Sequence, residues 1–180
     1  RIVTVPPGRV SGNPNMGIGN ADTVVFIVDL LDMLPSGPEG GERKPAAWAP
    51  KIVLTDDLPS SLDFTGSPEP TGKLLRTTLI EGEGAAVQKG QHLYVNYLGQ
   101  VFGAQAPFDQ SYSRGTPFDF DVGTGAVVSG WDEGLQGVKV GSRVILQVPP
   151  AKGYGKGGNP DAGIKGTDTM YFVVDILAAV

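Results

Sequence analysis

No cysteine occurs in the 180 residues. A disulfide framework, a thiol nucleophile and a zinc ribbon are therefore excluded. Histidine occurs once, as His92. A Ser-His-Asp set cannot be built convincingly on one imidazole placed in mid-strand, where a histidine is ordinarily a surface or core residue. No histidine pair or carboxylate cluster has metal-ligand spacing, and Asp56-Asp57 falls in a polar loop. Neither a metal nor a cofactor is expected. Charge is sparse: 18% of residues, with a net charge of −5. That argues against nucleic acid as a partner, because phosphate binding needs a basic footprint. Long apolar runs are missing too. The longest, Thr23 to Leu34, is broken by Asp29 and Asp32 and is too short to span a membrane. The chain opens on Arg1-Ile2-Val3-Thr4-Val5, in what reads as mid-strand, with no signal peptide, so a fragment of a longer protein is expected.

Glycine-rich segments do not supply a nucleotide site either. Gly123-x-Gly125 precedes a helix but lacks a third glycine in register and a Rossmann setting. Gly153 to Gly158, GYGKGG, holds a lysine but is no Walker motif. Classical hydrolytic or transfer chemistry is left without its parts.

The most informative stretch is Gly115 to Gly137. Phe118 and Phe120 lie two apart and share a strand face. Trp131 and Leu135 lie four apart and share a helix face. Ser129 or Gly130 suits the N-cap, Asp132 and Glu133 suit the positive end of the helix dipole, and Gly137 suits the stop. An apolar strand face, an apolar helix face and a tryptophan between them fit an ordinary core or a pocket floor.

The chain also repeats itself. Gly12 to Leu31 and Gly158 to Leu177 are identical at eleven of twenty positions without a gap, and each follows a β-branched segment ending in Pro-Pro. The second copy carries AKGYGKG between the two parts, with Tyr154; the first has only GRVS. Residues 1–33 therefore read as the last two strands, Ile2 to Val5 and Asp22 to Leu31, of an incomplete domain. So short a segment falls below the roughly 40 residues needed for a core of its own, and it is expected to dock on another domain or chain. Residues 34–71, dense in proline and glycine, read as linker and arm, with Trp48 either exposed or packed on a surface and Lys51 to Thr55 as a possible strand. From residue 72 the pattern is regular. Strands are expected over Lys73 to Ile80, Gln91 to Leu98, Ser142 to Val148 and Asp168 to Leu177. In the second of these, Leu93, Val95 and Tyr97 face one way and His92, Tyr94 and Asn96 the other. Antiparallel strands with one short helix make an α+β domain over 72–180.

Aromatic residues converge on that domain: Tyr97, Phe108, Phe118, Phe120, Trp131, Tyr154 and Phe172, with Asp109 beside Phe108. Taken singly each suits a core; together they suit an apolar cleft with a few polar groups. Here the sequence resembles the FKBP-type peptidyl-prolyl cis/trans isomerases. The matching segments are Val95-Asn96-Tyr97-Leu98-Gly99, Phe108-Asp109-Gln110-Ser111, Gly115 to Gly123, Val127 to Leu135, Gly141-Ser142-Arg143, Val148-Pro149-Pro150, Gly153-Tyr154-Gly155 and Phe172 to Leu177. The resemblance covers residues 72–180, and the tandem layout resembles bacterial two-domain members of the cell envelope or secreted space.

The resemblance implies a half-open antiparallel sheet wrapped around one short helix, preceded by a partial second copy. It implies Trp131 as pocket floor, Tyr97, Phe118, Val127, Val128 and Phe172 as walls, and Phe108 beside the proline ring. Asp109 and Tyr154 would be the polar groups near the substrate carbonyls, with Tyr97 alongside them, and Ile164 would sit in a closing loop. The implied activity is X-Pro rotation in proline-containing polypeptides, with tacrolimus- or rapamycin-type macrolides as ligands and no cofactor. The rival is the same fold kept as a binding or chaperone module with little catalysis. Two departures stand out. The family's second Ile and Pro-Pro after Ile164 are replaced by Gly163-Ile164-Lys165-Gly166-Thr167, and the Ser after Phe-Asp is Gln110.

Overall fold

A computed structural model describes residues 2–6, 9, 11–27 and 33–180. It divides into two units, Arg1–Leu34 and Pro35–Val180.

In the first unit β1 (Ile2–Val5) pairs antiparallel with β2 (Val24–Ile27). Of the strand expected over Asp22 to Leu31, residues 28–31 lie outside the described residues, as do Pro7, Gly8 and Val10 around the first Pro-Pro and Asp32 beyond the strand. The repeat extends to structure. Asn13 caps a short 3-10 turn, Pro14–Met16, that ends on left-handed Gly17; Asn159 caps Pro160–Ala162, which ends on Gly163. The closing carboxylates match as well: Asp22 accepts from the Gly19 N–H at 2.7 Å and Asp168 from the Lys165 N–H at 2.8 Å.

In the second unit the strands are β3 (Gly40–Glu42), β4 (Lys51–Thr55), β5 (Leu58–Asp63), β6 (Leu75–Gly82), β7 (His92–Val101), β8 (Asp109–Gln110), β9 (Phe118–Asp121), β10 (Arg143–Val148) and β11 (Met170–Ala179). The main sheet runs β3-β6-β10-β11-β7-β8, with β9 also on β7; all pairs are antiparallel. Strand β7 is long enough to hold β9 at its first half and β8 at its second. The α-helix among the described residues, α1 (Ser129–Gly134), lies over one face.

Alternation along the strands sends side chains to two cores. Leu93, Val95, Val144, Leu146, Met170, Phe172 and Val174 point to the side of Trp131 and Leu135. Leu98, Ile145, Tyr171 and Val173 point the other way, onto Leu62, Trp48, Ile52 and Phe64. That second core corrects the expectation of a linker over 34–71. Residues 35–71 belong to the second unit, and β3 extends the main sheet beside β6. Strands β4 and β5 form a hairpin around Asp56-Asp57, both at positive φ. Short acidic side chains tolerate that conformation, which a two-residue hairpin turn requires. Trp48 packs on Tyr171, with ring centroids 6.3 Å apart.

The helix also differs in detail. Val128 occupies the N-cap position with no side-chain bond, and the helix ends at Gly134, before Gly137. Asp132 does not simply complement the helix dipole. Its carboxylate accepts the N–H groups of Gly123 at 2.7 Å and Gly125 at 2.8 Å. The Gly123-x-Gly125 turn is thus clamped from the helix. Glu133 pairs with Lys152 at 2.5 Å on the surface.

Candidate functional site

Trp131 is the centre of the site. It is the third residue of α1, and the helix lies close on β10: a Cβ added to Gly130 would meet Val148 Cγ1 at 2.5 Å. Four rings surround the indole, those of Tyr97, Phe118, Phe120 and Phe172, with centroids 5.2 to 6.1 Å away. Three of them meet it edge-on, at 76° to 86°. Such contacts favour one orientation of each ring. The indole N–H is buried and has no hydrogen-bond partner among the described residues.

Above the indole opens a pocket of about 490 Å³, lined by Tyr97, Phe108, Asp109, Phe118, Ala126, Val127, Val128, Trp131, Tyr154 and Phe172. That size is in the range of small-molecule and short-peptide sites. Strand β7 presents Tyr97, β8 Asp109, β9 Phe118 and β11 Phe172, while Val127 and Val128 lead into α1. Phe108 packs edge-on against Phe172, with centroids 5.8 Å apart. It reaches the sheet because residue 99 is glycine: a Cβ there would come within 2.6 Å of the Phe108 ring.

The polar side of the pocket is organised around Asp109. Its carboxylate accepts the Tyr97 hydroxyl on one oxygen and the Arg114 guanidinium on the other. Burial raises the Tyr97 phenol above its ordinary pKa, although Arg114 pulls the other way, so Tyr97 stays a hydrogen-bond donor at neutral pH. Arg114 ends the short turn Tyr112–Arg114, which is held on β7 by Ser111: its N–H donates to the Tyr97 carbonyl and its hydroxyl accepts the Tyr97 N–H, each at 2.9 Å. Tyr154 stands at the mouth, 43% exposed, and its hydroxyl makes no hydrogen bond among the described residues.

Nine of the ten residues expected at the site line this pocket; Ile164 does not. It is 3% exposed in the core beneath, and its backbone N–H donates to the Asn159 carbonyl at 2.9 Å. Its loop closes on itself instead of over the pocket. Ala126 and Arg114 are additions. Arg114 carries a sequence signal, a lone cation five residues after Asp109 and next to a turn glycine. Ala126 carries none. His92 lies on β7 away from the pocket lining, between Asp121 at 2.7 Å and Asp119 at 3.1 Å. Among the described residues no group of three or more potential ligands could hold a metal ion, and no helix is long and apolar enough to cross a membrane.

Comparison with known proteins points the same way as this geometry. The sequence model of the family "FKBP-type peptidyl-prolyl cis-trans isomerase" matches residues 83–177, just over half of the chain. The chain is 42% identical over 117 residues to an "FK506-binding protein" of Streptomyces anulatus, a match covering 65% of this chain and 94% of that one. It is 40% identical over 90 residues to an Arabidopsis thaliana "Peptidyl-prolyl cis-trans isomerase FKBP15-2", covering 50% of this chain and 54% of that one. Among solved structures, FkpA from Escherichia coli superposes with a TM-score of 0.54 at 34% identity, over 61% of this chain and 49% of that one.

Proposed function

Because the chain belongs to the FKBP-type peptidyl-prolyl cis-trans isomerase family, we propose that its aromatic pocket binds proline in a polypeptide and accelerates rotation about the preceding bond. One observation carries this reading: an apolar pocket floored by an indole among four rings, with Asp109 and Tyr154 at its edge.

The chemistry asks little of such a site. The uncatalysed barrier is about 18–20 kcal/mol and rotation takes tens to hundreds of seconds. A turnover near 10 per second needs about 4 kcal/mol of lowering. The planar amide separates charge between oxygen and nitrogen, and the twisted transition state has lost much of that separation. A pocket walled by Phe118, Val127, Val128 and Phe172 solvates the planar form poorly and the twisted form comparatively well. Shape complementarity to the twisted bond adds to this. In this reading Trp131 is the floor and Phe108 flanks the ring. Asp109, held by Tyr97 and Arg114, and the free Tyr154 hydroxyl address the carbonyls on either side.

The test is NMR exchange on X-Pro peptides with the whole chain. Asp109→Ala and Tyr154→Phe should lower kcat/KM modestly. Phe118→Ala and Phe172→Ala should lower it more, through lost binding. Unchanged rates in all four would show that the site is misplaced. A tacrolimus-type macrolide should compete for the same pocket and change Trp131 fluorescence. Binding without any acceleration would favour the binding or chaperone module instead.

Residues 1–33 we read as the closing hairpin of a second FKBP-like module. Strands β1 and β2 keep the register of β10 and β11: Val5 faces Val24 as Val148 faces Met170, and Val3 faces Phe26 as Leu146 faces Phe172. The tract between the strands is three residues shorter and has no tyrosine where Tyr154 stands, so this hairpin is catalytically silent. Ile2, Phe26 and Ile27 are 68%, 46% and 76% exposed, whereas Ile145, Phe172 and Val173 are buried. That exposed apolar surface favours docking on another domain or chain. Removing residues 1–34 should leave kcat/KM unchanged; a loss would refute the silent role. An envelope or secreted setting goes with the resemblance to tandem bacterial members, and cell fractionation tests it.

A further inference from the structure

A cavity of about 520 Å³ lies on the other side of Phe108, which lines both it and the aromatic pocket. Its walls are the loop between β7 and β8, with Phe102, Ala104, Ala106 and Pro107, and the turn holding Ala162 and Gly163. We propose that this groove is an extended substrate subsite, taking apolar residues two to four positions away from the proline bound in the aromatic pocket. The proposal rests on the isomerase reading of that pocket.

Continuity, chemistry and room favour this occupant. A polypeptide whose proline occupies the first pocket must leave it at both ends, and a groove bordered by Phe108 itself is within a few residues' reach. An extended chain advances about 3.3 Å per residue, so a cavity of this size receives a short run of side chains rather than one. Most side chains of the wall are apolar, backbone and two charged residues supply its polar share, and the small residues leave room for the incoming side chains. A Cβ placed on Gly163 or Gly103 would meet nothing within 4 Å. Gly163 has φ +68°, so its turn itself favours a residue without a side chain. The two charged residues that line the groove, Lys165 and Asp168, are of opposite sign. Asp168 is engaged by the Lys165 N–H, and the Lys165 ammonium has no partner among the described residues. Mostly apolar side chains and one charge of each sign favour apolar segments over strongly charged ones. Such segments are abundant in unfolded chains and hidden in folded ones, so the groove directs the enzyme to folding polypeptides.

The experiment compares two substrates with the same X-Pro bond: a tetrapeptide, and a dodecapeptide with Leu and Phe at the second to fourth positions on both sides. Wild type should process the longer one with kcat/KM about three- to tenfold higher, the gain from partial burial of one or two apolar side chains. Ala106→Trp and Ala162→Trp, which fill the groove, should bring that ratio back toward one. In parallel, the dodecapeptide should shift the amide resonances of Ala106 and Gly163 in the wild-type protein, and the tetrapeptide should not. Equal kcat/KM for the two lengths in wild type, an unaltered ratio in both variants, or unmoved resonances at 106 and 163 would each overturn the proposal. Failure of the parent reading looks different: neither peptide would be isomerised by wild type.

Discussion

Replacement of Asp132 tests how the helix holds the pocket wall. Asp132 is 9% exposed, and its carboxylate accepts two backbone N–H groups, from Gly123 at 2.7 Å and Gly125 at 2.8 Å. These bonds set the turn that runs directly into Ala126, Val127 and Val128 on the pocket wall. Hydrogen bonds to a charged acceptor contribute about 1.5–3 kcal/mol each. The two N–H groups are only partly buried, so water recovers some of the loss, and the lower end applies. Asp132→Ala should therefore cost about 3 kcal/mol, and Asp132→Asn, which keeps one acceptor and the shape, about 1.5 kcal/mol. Glu133→Gln removes only a surface ion pair and should cost less than about 0.5 kcal/mol. Urea unfolding at 25 °C reads all three. In the NMR exchange assay the alanine variant should raise KM more than it lowers kcat, because the wall loosens while Trp131, Asp109 and Tyr154 stay in place. Equal losses for Asn and Ala, or an Ala variant within about 0.5 kcal/mol of wild type, would refute the clamp.

Tyr112 donates to the buried Asp175 carboxylate at 2.9 Å, which Arg143 grips at 2.6 and 2.8 Å. Tyr112→Phe should free the turn that carries Arg114 and lower kcat/KM about threefold or more. In an Arg114→Ala background it should add nothing, and additive losses would show that Tyr112 acts by another route. Removing residues 35–71 strips Trp48, Leu62 and Phe64 from the outer face of the sheet. The remaining protein should bind a hydrophobic dye and lose its cooperative melt; Leu62→Ala alone should cost about 2–5 kcal/mol. The hydrogen bond to Asp121 raises the His92 pKa; desolvation opposes it, and the charge of Asp121 and the contact with Asp119 add to the rise. Its stabilisation is fully present below about pH 6.5 and is lost as pH rises through the raised value. Thermal melts across that range should show the loss in wild type and none in His92→Gln.

Much of this protein is written in local pattern. Alternation through Leu93, Val95 and Tyr97 determines which face of β7 meets the core, because a strand turns its side chains every second residue. The spacing of Trp131 and Leu135 does the same for α1. The repeat shows the hairpin twice, since identical caps and turn glycines impose the same local conformation. Tertiary structure decided what periodicity cannot carry. Residues as distant as Tyr97, Phe118, Trp131 and Phe172 share one pocket because β7, β9 and β11 pair side by side beneath the helix. The proline- and glycine-rich tract 35–71 reads as linker because its strands are short and interrupted. It is ordered by a sheet face that leaves Tyr171 and Ile145 to be covered, a demand set far along the chain. Arg114 and Asp132 take their roles the same way, from the long-range placement of a carboxylate and of two turn amides. Local chemistry determined which residues would be buried, and only the pairing of distant strands determined which of them would meet around a substrate.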